Sequence, residues 1–478
     1  MKKYDLSIIG NGILALSTAY EFIKNNSKSK IAIIGQKHRS NGATIAAGAM
    51  LNCFAEVTNC SLKFNESRSK LEMAIKALYL WEEWIENINS LVNKEDQISI
   101  NNGTFVILNS KSGILDSENF SSMISALNSY NEYYEEVDPI DIPGLDPIED
   151  SRPLKSIYLP REGCINPFSL INTLEKILIS TNQVDFIEDE VIKIDSNKII
   201  NYIETNRGYK LSSDHYLIAA GAYSQRIIDL IPELNKRIPR ILAGVGYSLV
   251  IEQQKNKVTN VIRTPNRAGA CGLHVLPYND TSLYIGASNN VSFEPQSDPS
   301  MGLIHFITEC AIEQINQEYH RSKILKINTG NRPATLDTYP LIGETSIKGL
   351  WIITGTYRDG FHQSPLLAKH MSNLMSNEEG LFENIFPPER SLIKTFTKET
   401  SIEEGVLHYM SGAYERGIKL PKASWDKMLR NLIKDRIEEL YNKLDTDYGL
   451  SPDMLMMFEF EDKLEERISF FRNYLKMI

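Results

Sequence analysis

The chain has 478 residues, of which 42% are hydrophobic, 9% aromatic and 23% charged, a balance that excludes disordered, collagen-like and coiled-coil proteins. Lys and Arg number 51 against 61 Asp and Glu, a net charge of −10, which argues against a general nucleic-acid binder because phosphate contacts need a basic surface. Five cysteines (Cys53, Cys60, Cys164, Cys271 and Cys310) form no CxxC pair and are odd in number, so no metal site or disulfide framework is expected and a reducing, cytoplasmic compartment fits best.

At about 100–200 residues per domain, this length predicts two or three domains. Residues 4–9, YDLSII, form a short apolar run of the kind that becomes a buried parallel strand. Asp5, Gly10 and Gly12 interrupt the run, which speaks against a signal peptide. No later stretch approaches ~20 apolar residues, so no membrane span is expected. Next comes Gly10-Asn11-Gly12-Ile13-Leu14-Ala15, a match to G-x-G-x-x-(G/A) that follows a strand and opens a helix. Gly10 permits the tight turn, Gly12 lets backbone approach a pyrophosphate, and Ala15 keeps helix close to strand. The helix N-terminus supplies amides and a positive dipole end to the phosphates. The apolar run 31–34 completes a β-α-β unit.

An acidic residue about 20 positions on normally holds the ribose hydroxyls, yet Gly35 and Gln36 stand there. Gln36 can bond a hydroxyl through its amide, without the added strength of a charge.

Leu71, Ala74, Ile75, Leu78, Ile85, Ile88 and Leu91 recur at helical spacing and predict an amphipathic helix over 71–92. The proline- and acid-rich stretch 138–153 reads as a crossing loop between domains. Strand-like runs at 244–251, 272–277 and 283–287 predict a mostly antiparallel sheet, and residues 350–354, LWIIT, predict another apolar strand. Beyond about residue 385 long amphipathic helices are expected. Their clearest stripe is Trp425, Met428, Leu429, Leu432, Ile433, Ile437, Leu440, Tyr441 and Leu444. So long a stripe must be covered by the chain's own body, another subunit or a protein partner.

Four further segments carry a family resemblance. They are GATIAAGAM at 42–50, LIAAGAYS at 217–224, GNRPATLDTYPLIG at 330–343 and GTYRDGFHQSP at 355–365. With the glycine fingerprint, and in this order, they resemble the FAD-dependent D-amino-acid oxidase family of glycine oxidase- and sarcosine oxidase-like flavoproteins. The look is nearest to the glycine oxidase branch, with Asp359 replacing an asparagine. The resemblance spans roughly residues 4–376.

It implies an α/β chain, α+β overall: a Rossmann-type FAD-binding domain, an inserted antiparallel-sheet substrate domain and a helical C-terminal extension. The flavin domain would be discontinuous (1–58, 151–240 and 329–384), the substrate domain would take 59–150 and 241–328, and the extension 385–478. Noncovalent FAD is implied. Gly42, Ala43, Thr44, Ala46, Ala47, Gly48 and Met50 would line the isoalloxazine, with Val191 and Gly221 near the adenosine and pyrophosphate. The turn Gly355, Tyr357, Arg358, Asp359, Gly360 and Phe361 would offer amides to the flavin's pyrimidine edge, where they stabilise developing negative charge. Asn331 and Arg332 stand where some sarcosine oxidases attach flavin through cysteine, so covalent attachment is not expected.

At the reacting centre, the resemblance makes Arg332 the carboxylate anchor, a role suited to a planar guanidinium fork. His274 falls where a substrate-facing tyrosine is common, and Arg358 would contact substrate or flavin. Tyr247 and His362 are weaker candidates. The implied chemistry is oxidation of a C–N bond in a small amine or amino acid by hydride transfer to flavin N5, with imine hydrolysis and reoxidation by oxygen. Two readings stay open beside it. One is a dehydrogenase passing electrons to a protein or quinone. The other is a tailoring enzyme acting on a carrier-bound or RNA-bound substrate.

Overall fold

In the computed structural model, which describes residues 2–255, 257–268, 272–415, 422–459 and 463–477, the predicted β-α-β unit forms the centre of an eight-stranded sheet. Cys271 lies outside the described residues. Lys2–Ile9 pairs in parallel with Ile31–Ile34 on one side and Lys210–Ile218 on the other. Val184–Ile187 extends one edge, and Leu350–Thr354 with Leu341–Glu344 extends the other.

Both faces of this sheet are covered, which is why its strands read as unbroken apolar runs. The period of two sends Ile31 and Ile33 into one core and Ala32 and Ile34 into another. Helices Ile13–Asn25, Pro167–Ser180 and Ser364–Met375 contribute to the first core. The hairpin Val191–Ser196 with Ile200–Thr205 contributes to the second.

The expected antiparallel sheet has ten strands. Its spine is Ile241–Glu252 against Ile324–Thr335, in register from Ile241 opposite Thr335 to Val250 opposite Lys326, with a one-residue shift before Ile251 opposite Ile324. Val261–Arg263 runs parallel to Ile100–Asn109, so the sheet is mixed at that point. Pro153–Ile165 pairs antiparallel with Ile100–Asn109 and therefore belongs to this sheet, although 151–240 was expected with the flavin domain. Its apolar alternation matches either sheet, and only pairing distinguishes them.

The amphipathic helix spans Asn65–Asn89, starting earlier and stopping sooner than expected, so Leu91 lies beyond it and exposed. The helix bridges the two sheets. Met73, Ala77, Trp81 and Trp84 face the first core, while Leu71, Ala74 and Leu78 pack beside the ten-stranded sheet.

The extension folds as helices Lys398–Glu415, Ala423–Leu444, Pro452–Met457 and Leu464–Met477. Ile437, Tyr441 and Leu444 of the predicted stripe are buried with Leu242, Val291 and Tyr357 of the body. Trp425, Met428 and Leu432 are exposed, so only the C-terminal half of the stripe is covered. Among the described residues, no helix is long and apolar enough to cross a membrane, and no cluster of His, Cys, Asp and Glu could hold a metal ion.

Candidate active site

A cleft of about 630 Å³ begins at the glycine fingerprint and continues to the ten-stranded sheet. Gly10 has φ +122, and a Cβ there would lie 2.3 Å from the Ala219 carbonyl oxygen, so only glycine lets the two parallel strands approach. Gly12 precedes the helix Ile13–Asn25 without a side-chain cap. Thr44 Oγ1 accepts from the Ile13 amide at 3.1 Å, which ties the helix start to the small-residue loop. Ala15 is fully buried beneath the cleft rather than on its wall, as its packing role requires.

Beyond the second strand, Gln36 lines the cleft and donates from Nε2 to Glu190 Oε1 at 2.6 Å. Glu190 lies just before Val191, which also lines the wall. The sequence pattern could not show Glu190, because it comes from a different strand end. Gly221 has φ +59, and a Cβ there would meet nothing within 4 Å. Arg39, also missed, lines the cleft, donates from Nε to the Asn11 carbonyl at 2.7 Å and pairs with Glu175.

The loop 42–50 crosses toward the second sheet as a short helix, Ala43–Ala46, and a strand, Met50–Leu51. A Cβ on Gly330 would come 2.6 Å from the Ala46 Cβ, and one on Gly48 would come 2.9 Å from the Tyr284 ring. Tyr284 Oη donates to the Ala46 carbonyl at 2.9 Å. Small residues thus bring the loop's backbone flush against the sheet. Gly42, Ala43, Thr44, Ala47, Gly48 and Met50 all line the cleft.

The turn 355–361 closes the opposite wall. Gly355 has φ +70 and lies behind the lining, while Tyr357 through Phe361 reach it. The Tyr357 amide donates to the Pro333 carbonyl at 2.7 Å. Phe361 stacks on Trp81 with centroids 6.1 Å apart and planes within 5°. Asp359 pairs with Lys70 at 3.0 Å.

A wall of backbone and methyl groups, a glycine-capped helix start and an amide–carboxylate pair, Gln36 with Glu190, together fit a dinucleotide. The buried Asn52 Nδ2 has no hydrogen-bond partner among the described residues and lines the same cleft.

The family model for "FAD dependent oxidoreductase" (DAO) matches residues 5–374. The chain belongs to the DAO family of FAD-dependent oxidoreductases. It is 20% identical over 389 residues to glycine oxidase of Geobacillus kaustophilus, covering 80% of this chain and 95% of that one. The crystal structure of glycine oxidase from that organism superposes with a TM-score of 0.69 at 19% identity, over 82% of this chain and 100% of that one. Iminodiacetate oxidase from Chelativorans sp. BNC1 gives 0.67 at 17% identity, over 80% and 98%. L-proline dehydrogenase from P. horikoshii gives 0.63 at 17% identity, over 81% and 96%. These likenesses establish the two-sheet DAO fold, with helices 398–477 lying beyond the matched residues.

In this DAO-family cleft, Arg332, His274, Arg358, Tyr247 and His362 all reach the wall. Arg332 lies opposite Gly244 on the spine, and a Cβ on Gly246 would come 2.3 Å from its Nη1. The guanidinium therefore lies across a glycine gap in the sheet. Its Nη1 donates to the Ser288 carbonyl at 3.1 Å and to Asn289 Oδ1 at 3.2 Å. Asn331, its neighbour, is fully occupied with backbone: it donates to the Asn41 and Gln296 carbonyls and accepts from the Gln296 amide, all at 2.9 Å.

His274 is buried, stacked on Tyr284 with centroids 5.8 Å apart. Burial brings its pKa down to about 4, so the ring is neutral at pH 7. Its Nδ1 donates to the Gly272 carbonyl at 3.0 Å, which leaves Nε2 as an acceptor. His362 is also held neutral by burial and donates from Nε2 to the Ala74 carbonyl at 2.8 Å, a structural bond to the bridging helix. Tyr247 Oη donates to the Asp298 carbonyl at 3.2 Å.

Glu56 was not foreseen. Burial alone would raise its pKa, but the Arg263 and Arg358 guanidinium groups outweigh that and hold it down at about 2. The cleft therefore carries a permanent carboxylate beside Arg358. Only three-dimensional proximity to these arginines distinguishes Glu56 from any other glutamate.

Proposed function

We propose that this chain oxidises the C–N bond of an amino acid or related small amine, with FAD bound noncovalently along the cleft. The observation that supports this most is Arg332, a guanidinium at the cleft wall two residues from Gly330, whose Cα abuts the small-residue loop. A fork at that distance from the flavin wall can hold a carboxylate so that the adjacent Cα–H faces the cofactor. FAD, when bound, supplies the acceptor for the hydride leaving Cα. His274, neutral with Nε2 as acceptor, can take a hydrogen bond from the substrate amine and orient it beside the carboxylate held by Arg332. Arg358 and Glu56 form the charged floor of the reacting end, and the Tyr357–Phe361 backbone faces the pyrimidine edge.

Glu190, held by Gln36, stands in for the missing acidic residue toward the adenosine ribose. The flavin-binding segments are proposed as 1–58, 151–240 and 329–384, less the strand Pro153–Ile165, which pairs in the ten-stranded sheet. The names of the similar proteins, glycine oxidase, iminodiacetate oxidase and L-proline dehydrogenase, all concern amino acids or amino-acid-like amines. Oxygen is the proposed final acceptor.

Anaerobic mixing with a panel of amino acids and carboxylate-free amines tests the reading. Bleaching of the flavin band by amino acids, followed by peroxide release on admitting oxygen, is expected. A flavin that no member of the panel reduces would refute amine oxidation. Reduction without peroxide would refute only the oxygen assignment.

A further inference from the structure

Asp453 sits in the first turn of the helix Pro452–Met457, well beyond the family match at 5–374. It accepts the Tyr357 hydroxyl proton at 2.9 Å through Oδ2. The Tyr357 oxygen in turn accepts from Asn289 Nδ2. Asn289 Oδ1 accepts from Arg332 Nη1 at 3.2 Å. Four side chains from distant parts of the sequence thus form one line from the cleft wall to the C-terminal extension.

We infer that the extension is a working part of the substrate site, with Asp453 a positioning residue that orients Arg332 through Tyr357 and Asn289. The inference rests on the proposed role of Arg332 as carboxylate anchor.

The chemistry of the two ends makes the line directional. A guanidinium only donates and a carboxylate only accepts. With Asp453 taking the phenol proton, the Tyr357 oxygen must accept from the Asn289 NH2, which turns the Asn289 carbonyl toward Arg332. Without Asp453 the phenol could donate to Asn289 instead. The amide would then turn over and bring its NH2 against the guanidinium, and the Nη1 contact would be lost. Tyr357 is only 5% exposed, so water is a poor substitute for either partner, and hydrogen bonds in such surroundings reinforce one another.

Two independent features show that space is kept for this line. A Cβ on Gly244 would lie 2.6 Å from the Tyr357 ring and 3.1 Å from Asn289 Oδ1, so the spine strand is hollowed where the two meet. The Tyr357 amide is bonded to the carbonyl of Pro333, the residue after Arg332, which links the two segments a second time. Met454, Leu455 and Met457, beside Asp453, are buried with Leu242, Val291 and Tyr357. The carboxylate's place is therefore set by packing between extension and body.

The test uses the full-length holoprotein, with the flavin absorption spectrum reporting binding of acetate and glycolate and with methylamine as a carboxylate-free control. Tyr357→Phe removes one oxygen and leaves the packing intact. It should weaken acetate binding about three- to twentyfold, the size of one or two hydrogen bonds, a larger loss than for methylamine, which has no carboxylate for Arg332 to hold. Asp453→Ala should do the same, and Asp453→Asn, whose Oδ1 still accepts, should lose less. Tyr357→Phe binding acetate as tightly as wild type would overturn the role of the extension, whether or not Asp453→Ala folds. Arg332→Lys is measured in parallel. Undiminished carboxylate binding by that variant, or no response of the wild type to either carboxylate, would overturn the anchor reading itself and this inference with it.

Discussion

Gln36 and Glu190 meet at 2.6 Å across 154 positions of sequence, in the cleft that Arg332 also lines. The second strand of the fold ends in an amide where a carboxylate is usual, and the carboxylate arrives instead from the loop after Val184–Ile187. Glu190→Ala is expected to weaken FAD binding by ~1.5–3 kcal/mol, the loss of a charge-assisted bond. FMN, which lacks the adenosine, should bind equally well to both proteins. Gln36→Glu should also weaken FAD at pH 7, because two carboxylates would then face each other. Fluorescence titration of apoprotein with each flavin measures both effects, and equal losses for FAD and FMN would refute the ribose assignment.

Arg332→Lys keeps the charge and loses the fork. We expect kcat/KM for an amino acid to fall by ~1.5–3 kcal/mol, roughly tenfold to a few hundredfold. The flavin spectrum without substrate should stay near normal, since the fingerprint and the small-residue loop lie elsewhere. Rapid-reaction measurement of anaerobic flavin reduction against substrate concentration is the check.

Stability should fall on mild acidification. His274 is buried and His408 half-buried, and desolvation lowers each pKa from 6.5 to about 4. Between those values the unfolded chain binds more protons, so this contribution is complete above pH 6.5 and is lost as pH falls toward 4. Glu162 acts oppositely: burial raises it from 4.5 to about 7, although the Cys53, Phe54 and Ala55 amides donate to it. Its contribution is present below 4.5 and lost as pH rises through 7. At these three groups two protons outweigh one, and the pKa values of His215, His362 and His370, also lowered by burial, act in the same direction, so stability should fall as pH drops below 6.5. Urea unfolding at pH 7 and pH 5 should show the difference, and His408→Gln should flatten it.

The two halves of the helix Ala423–Leu444 should respond differently to truncation. Ile437→Ala opens a cavity in the core shared with the body and should cost ~2–4 kcal/mol. Leu432→Ala, on the exposed half, should stay within ~0.5 kcal/mol. Denaturant midpoints for the two variants decide this. A chain ending at residue 385 would bare the Leu242, Val291 and Tyr357 surface, and loss of soluble protein is the expected outcome.

The strand-turn-helix around Gly10 and Gly12 was legible in the sequence because its geometry is local. A glycine where φ is positive and an alternating apolar run depend on neighbours a few residues away. The small-residue loop, the Arg332 segment and the Tyr357 turn were legible as an ordered set, and each of them reaches the cleft. The proposed roles of Glu190, Glu56, Asn289 and Asp453 were not, for an acidic residue or an asparagine takes on a role only through what it faces. Pro153–Ile165 went to the unexpected sheet for a related reason, since a period of two fixes the face of a strand but not its partner. The 425–444 stripe shows the same limit, as helical spacing predicts an apolar face while only the body's shape determines that its second half is covered. Local periodicity and turn chemistry determined the elements. The meeting of surfaces hundreds of residues apart determined the site, because burial, charge pairing and hydrogen-bond direction exist only once those surfaces touch.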